Sequence, residues 1–295
     1  MNWVNAVVQG VLLGGLYALF ACGLSLMFGV MRIINLAHGD LAVLGAFLVW
    51  SLTTHTGLGP FWALVPALPV MLILGYLLHR TILARSLRGG PLTPLLTTFG
   101  LAIVVQNALL QAYNPDVRSL GGAAGDVATG SWRISGQLAV SYLGVLILAT
   151  AVLVLGGLQL TLRRTAFGRE MRATAQDADT ATLVGVPAAS VYARATAIAV
   201  ATATLAGVFL GVRSVFDASS GPTQLIFAFE AVVIGGLGSL WGTLWGGMVL
   251  GVAQTIGATI DPQYSILAGH LVFLIVLAGP HGRSLLGIRR EARTA

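Results

Sequence analysis

The 295 residues carry sixteen Arg and ten Asp or Glu, 9% charged in all, against 56% hydrophobic residues. A soluble domain is typically about a quarter charged, so an ordinary soluble globule is excluded. Lysine is absent; a P-loop needs Lys on the nucleotide phosphates, so the chain does not bind ATP in that way.

The charges are also segregated. Residues 1–31, 41–79, 89–115, 134–162, 231–260 and 262–282 contain none. A bilayer core takes about 20 apolar residues of helix to cross, and six such windows predict an all-α integral membrane protein, a polytopic bundle of about 8–9 transmembrane helices. Candidate spans, in chain order, are 5–30, 34–52, 61–79, 92–112, 138–162, 191–213, 225–259 and 264–280. Met1-Asn2-Trp3 lacks the basic start of a secretory signal. Cys22 lies in the first apolar run and reads as a buried, inert thiol.

The span order is punctuated by arginine. Arg80, Arg85 and Arg88 follow the third span, Arg163, Arg164, Arg169 and Arg172 the fifth, and Arg283, Arg289, Arg290 and Arg293 form the tail. Basic residues concentrate on cytoplasmic loops. The net charge of +6 therefore points to a lipid bilayer rather than nucleic acid. The first two clusters place the N-terminus outside, Arg32 inside and the polar loop 113–137 outside. Eight crossings would leave the tail arginines outside. The stretch 225–259 is too long for one crossing at 1.5 Å per residue and is interrupted by Gly235, Gly236 and Gly238. Two crossings there, nine in all, put the C-terminus in the cytoplasm.

Glycine is abundant, 38 residues, often at small-xxx-small spacing: Gly10 with Gly14, Gly242 with Gly246, Gly247 with Gly251. Small residues let helix backbones approach closely in lipid, and tight packing is the expected role.

Four stretches stand out chemically. Between the first two spans, Asn35, His38 and Asp40 crowd a membrane boundary; Asn35 or Asp40 caps a helix, or the group lines a pathway. In the fourth span, Thr97, Thr98, Gln106 and Asn107 either hydrogen-bond neighbouring helices or line the route. The loop 163–190 reads as a helix-forming segment. It carries Gly168, Arg169, Arg172, Ala175 and Asp177, a C-cap at Gly185 and a stop at Pro187. It suits docking on a soluble partner, or is a solvated positive loop. Glu230 is the one carboxylate well inside an apolar run. Such an acid marks a functional site by default; a structural pair with Arg213 or Arg194 is the competing reading. The five His never reach metal-ligand spacing, and no HExxH or GxSxG occurs, so neither a metal site nor an enzyme is expected.

Taken together, Ile34–Asp40, Gly168-Arg169 through Gly185-Val186, and Val233–Ser239 resemble the permease family of high-affinity branched-chain amino-acid ABC importers, LivH-type. The resemblance covers nearly the whole chain. It implies a single permease domain, 1–295, in a bacterial plasma (inner) membrane, with 163–190 as the coupling loop for the ATPase. The implied partners are a second, LivM-like permease, two cytoplasmic ABC ATPases that use the ATP, and an external substrate-binding protein. No cofactor is bound directly. Many members carry Lys where Phe227 stands and a small residue at Glu230, so an importer for an amide, urea or aromatic carboxylate is the alternative. A secondary transporter, which needs no ATPase, is the rival class, although no inverted repeat is evident.

Overall fold

The computed structural model describes residues 3–90, 92–135 and 138–279; the tail cluster Arg283, Arg289, Arg290 and Arg293 lies outside them. The first half of the chain forms α1 (Trp3–Met31), α2 (His38–Thr56) and α3 (Pro60–Leu78). A π-helical turn, His79–Leu83, then α4 (Ala84–Ser86) and a 3₁₀ turn to Gly89 prolong α3. Next come α5 (Thr93–Tyr113), the short turns α6 (Gly121–Ala124) and α7 (Asp126–Thr129), and an antiparallel ribbon of β1 (Ser131–Ser135) and β2 (Leu138–Ser141). The second half holds α8 (Tyr142–Arg164), α9 (Ala166–Gln176), α10 (Ala178–Leu183), α11 (Ala188–Arg213), α12 (Gly221–Gly235), α13 (Leu240–Ile260) and α14 (Tyr264–Ala278).

Six stretches are long and apolar enough to span a bilayer: 3–31, 60–89, 93–113, 142–164, 188–213 and 240–260. The helices α12 and α14 are apolar but shorter. The expected break in 225–259 falls between α12 and α13. Gly236 and Gly238 there adopt φ of 91° and 81°, a region open to glycine at little cost, and Ser239 caps α13 by accepting from the Gly242 amide at 3.1 Å.

Three expectations are revised. Residues 138–141 belong to the ribbon, because Ser131 to Arg133 pair with Ala139 to Ser141, so the fifth span begins at Tyr142. The loop 163–190 is two helices rather than one. Asp177 ends α9 and caps α10, accepting from the Asp179 and Thr180 amides; Arg163 and Arg164 close α8, and Pro187 stands at the start of α11. The second span begins at His38 rather than 34, for a reason described below.

The core is built on α1 and α11, both mostly buried, while α3, α5 and α8 expose apolar faces of the kind that lipid covers. Glycine sets the close crossings. A Cβ on Gly14 would stand 2.4 Å from Met248 Cα, one on Gly247 2.6 Å from the Gly14 carbonyl oxygen, and one on Gly251 2.3 Å from that of Gly10. The two glycine pairs thus face each other across α1 and α13. A second face of α13 meets α12, where Cβ atoms on Gly235 and Gly242 would each fall about 2 Å from the other's carbonyl oxygen. Cys22 is fully buried.

Contacts also sort the helix ends. The C-terminal end of α1 meets the α12–α13 turn, where a Cβ on Gly238 would be 3.2 Å from Gly29 Cα. At that end α8 leads into α9, and His79 Nδ1 of the prolonged α3 bonds Thr196 Oγ1 near the start of α11, at 3.0 Å. The arginines 163, 164, 169 and 172 therefore share one end of the bundle. At the other end Gln9 donates to the Ala139 carbonyl of β2, and Arg118 and Phe216 exchange backbone bonds of 2.8 and 2.9 Å.

Candidate functional site

Two helices begin inside the bundle. After Met31 the chain folds back along α1, and His38 Nε2 donates to the Phe20 carbonyl at 2.8 Å. Phe20 lies eleven residues before Met31, about 16 Å along the axis, a distance that the six residues 32–37 span when extended. Asn35 sets the final bend: its side-chain oxygen accepts from the Ala37 amide at 3.0 Å, a local turn typical of asparagine. It makes that turn, not the N-cap of α2, for no side-chain bond caps this helix. The helix α12 likewise starts at this depth. A Cβ on Gly39 would lie 2.0 Å from the Gly221 carbonyl oxygen, and one on Gly221 would lie 2.1 Å from Asp40 Oδ1. Both N-termini meet in the interior, with the Asp40 carboxylate against them, where helix dipoles favour negative charge. Asn35, His38 and Asp40 are all buried.

The helix α5 closes one side of this junction. Gln106 Nε2 donates to Asp40 Oδ1 at 2.9 Å, and Thr98 Oγ1 accepts from the Leu36 amide at 3.1 Å. These two side chains make the interhelical bonds expected of the span. Asn107 does not; it is exposed and its amide bonds Ile103 of its own helix. Thr97 is half-buried.

Glu230 sits on α12, 3% exposed, and accepts from His270 Nδ1 on α14. Neither arginine considered from the sequence is its partner: Arg194 pairs with Glu170 at 2.7 Å, and Arg213 makes no ion pair among the described residues. The His270 ring also lies near-parallel to Phe227, which in turn packs on Tyr17, and the Tyr17 hydroxyl donates to Gln254 on α13. A polar cluster drawn from α1, α12, α13 and α14 results. Sequence reasoning missed His270, Tyr17 and Gln254. The only signal was His270 inside the otherwise apolar run 266–278. Beside Glu230, an apolar cleft of about 320 Å³ is lined by Ile34, Leu36, Leu95, Leu225, Phe229 and Phe273.

At the arginine-rich end, α9 packs on α1, α8 and α11 with Met171 buried, and α10 follows it. Thr165 caps α9 by accepting from the Gly168 amide at 3.1 Å. Gly168 is required by space: a Cβ there would come within 2.2 Å of the Leu162 carbonyl oxygen. Arg169 and Arg172 are exposed, Ala175 is half-buried, and Gly185, at φ 89°, turns the chain toward α11. Thr180 Oγ1 donates to the Asp177 carboxylate at 2.6 Å and holds it below the usual carboxylate range.

Six long apolar helices, two further helices that begin inside the bundle and one compact polar segment at one end define a multi-pass membrane protein. The chain belongs to the family described as the branched-chain amino acid transport system, permease component, whose profile matches residues 6–278. It is similar to the high-affinity branched-chain amino acid transport system permease protein BraD of Pseudomonas aeruginosa, 32% identical over 95% of both chains. LivH of Escherichia coli, a permease of the same description, is 28% identical over 96% of this chain and 95% of its own. The fructose import permease protein FrcC of Rhizobium meliloti is 28% identical over 83% of this chain and 69% of its own.

Proposed function

We propose that the chain imports branched-chain amino acids as one permease subunit of an ATP-driven transporter. The observation that carries this reading is the match over 95% of both chains to a permease described by that transport. The site fits the cargo: a cleft with aliphatic and aromatic walls beside one buried carboxylate suits a solute with an apolar side chain and a small polar end. On this reading the route follows the junction of α2, α5, α12 and α14, with Asn35, His38, Asp40, Thr97, Thr98, Gln106 and Glu230 along or behind it; Asn107, on the exposed face of α5, stands apart from it. Gly235, Gly236 and Gly238 provide the break at which α12 and α13 shift.

The chain is a single domain of nine crossings in a bacterial inner membrane, with an external N-terminus and a cytoplasmic C-terminus. The segment from Thr165 to Pro187 docks on one of two cytoplasmic ATPases, with Gly168, Arg169, Arg172, Ala175, Asp177 and Gly185 shaping that contact. A second permease and an external binding protein complete the assembly, and ATP closes the ATPases to drive alternating access. The permease makes and breaks no covalent bond and holds no cofactor. Deletion of its gene and complementation test the reading: leucine, isoleucine and valine uptake is lost and then restored. Undiminished uptake of all three, with loss of uptake of an amide, urea, an aromatic carboxylate or a sugar, would reassign the cargo.

A further inference from the structure

A second cavity, of about 390 Å³, lies at the arginine-rich end, enclosed by the last turns of α1, the end of α8, α9 and the start of α13. Its polar wall holds Ser25, Gln159, Arg163 and Arg172; its apolar wall holds Leu26, Val30, Leu162 and Leu240. Ser25 is fully buried and its hydroxyl has no partner among the described residues. Thr53 and Thr174 are the other buried hydroxyls left without a partner among the described residues. Thr98, Thr204, Thr243 and Thr255 all return their hydroxyls to a carbonyl one turn back, the common solution inside a helix. The one carboxylate of α9, the half-buried Glu170, is engaged by Arg194. Arg172 donates to the Leu162 carbonyl, and neither it nor Arg163 has a carboxylate partner among the described residues.

We infer that this cavity binds the headgroup of an anionic phospholipid from the leaflet it faces. The depths agree. Arg163 closes α8 at the surface, while Ser25 lies six residues inside the end of α1, about 9 Å. Two guanidinium groups at phosphate depth, with an amide and a hydroxyl beneath them at the level of the glycerol esters, match such a lipid group for group. The apolar wall takes the first methylenes of its chains. A soluble anion would leave that wall in water. Basic pockets between helices on the cytoplasmic side are the usual form of such sites, and this one rests on the proposed orientation of the arginine-rich end. Because α9 forms one wall, a bound headgroup braces the docking segment against α1 and α13.

The test uses the purified full-length chain, stripped of lipid and titrated with phosphatidylglycerol, phosphatidylcholine or inorganic phosphate, with bound lipid read by native mass spectrometry. The wild type should hold one phosphatidylglycerol in preference to phosphatidylcholine. Arg163→Gln should weaken that preference about fivefold and Arg163→Gln with Arg172→Gln about thirtyfold, at roughly one interfacial charge each. The charge-matched pair Arg85→Gln with Arg164→Gln, outside the cavity, should leave it intact. Equal losses in both pairs, no preference in the wild type, or displacement of the lipid by inorganic phosphate would each overturn the proposal. Uptake and ATPase activity play no part in this readout, so failure of the importer reading would leave its result standing. Labelling of Arg164→Cys from each side of the membrane reports the orientation separately.

Discussion

Gln106 donates to Asp40 across 2.9 Å, and with the Leu36–Thr98 bond it ties α5 to the interior start of α2. The helix α5 is otherwise largely exposed. One face of α5 packs on α2, with Ala102, Val105 and Leu109 buried and Tyr113 stacked on Phe47, and the two polar bonds add to that packing.

Replacing Gln106 by Leu removes a donor from a buried carboxylate beside two helix N-termini, at a cost of about 1–3 kcal/mol. Uptake by Gln106→Leu should fall several-fold at matched membrane levels, and Asn107→Leu, on the exposed face, should not. Equal uptake by wild type and Gln106→Leu, scored per immunoblotted copy, would show that this bond does not govern α5.

Glu230→Gln keeps the shape and a hydrogen-bonding partner for His270, so insertion should be normal while the transport rate changes. Glu230→Leu leaves the imidazole unpaired and should cost more, about 1–3 kcal/mol of stability by the same reasoning. His270→Leu should resemble Glu230→Leu, since each breaks the same pair. Thermal melts of the purified variants, run with uptake assays, decide it; wild-type transport by Glu230→Leu would make the carboxylate incidental.

The glycine crossing of α1 and α13 has no room for a methyl group. Gly14→Ala and Gly251→Ala should each lose about 1–3 kcal/mol through overpacking, seen as lowered melting temperature and reduced membrane abundance. Gly157→Ala, with open space at its Cβ, should be unaffected.

The docking segment yields two expectations. Arg169→Glu and Gly185→Trp should abolish uptake while the permease still inserts; retained ATPase association and uptake in both would remove the segment from coupling. Asp177 bears on pH. Its folded-state pKa is depressed by the Thr180 hydroxyl, so the α10 cap is fully present above the ordinary aspartate value of about 3.9. The cap is lost only as pH falls through the lower folded value. Amide exchange of residues 178–183 should thus be unaltered by cap titration between about pH 8 and pH 5, once corrected for intrinsic exchange. Asp177→Ala should raise it at every pH in that range.

The span pattern was legible because burial in lipid leaves long charge-free windows, and the α12–α13 break because Gly236 and Gly238 serve a φ that other residues resist. The depth at which α2 begins was not. Residues 34–37 are as apolar as a helix start, and only the His38–Phe20 bond shows that they run back through the bundle. The ribbon at 131–141 was hidden because Leu138, Ala139 and Val140 suit a span as well as a strand. Glu230 announced itself by its charge. Its partner did not, since His270 is neutral in the count and forty residues distant, and pairing at that separation is set by how α14 returns along α12.

The most direct test of the central claim is uptake of radiolabelled leucine into proteoliposomes containing this chain with its companion permease, ATPases and binding protein. Leucine should accumulate only when ATP is supplied on the side of the ATPases and binding protein is present on the other, and Arg169→Glu should abolish it. Leucine uptake without ATP, or ATP-driven uptake of fructose in its place, would contradict the account.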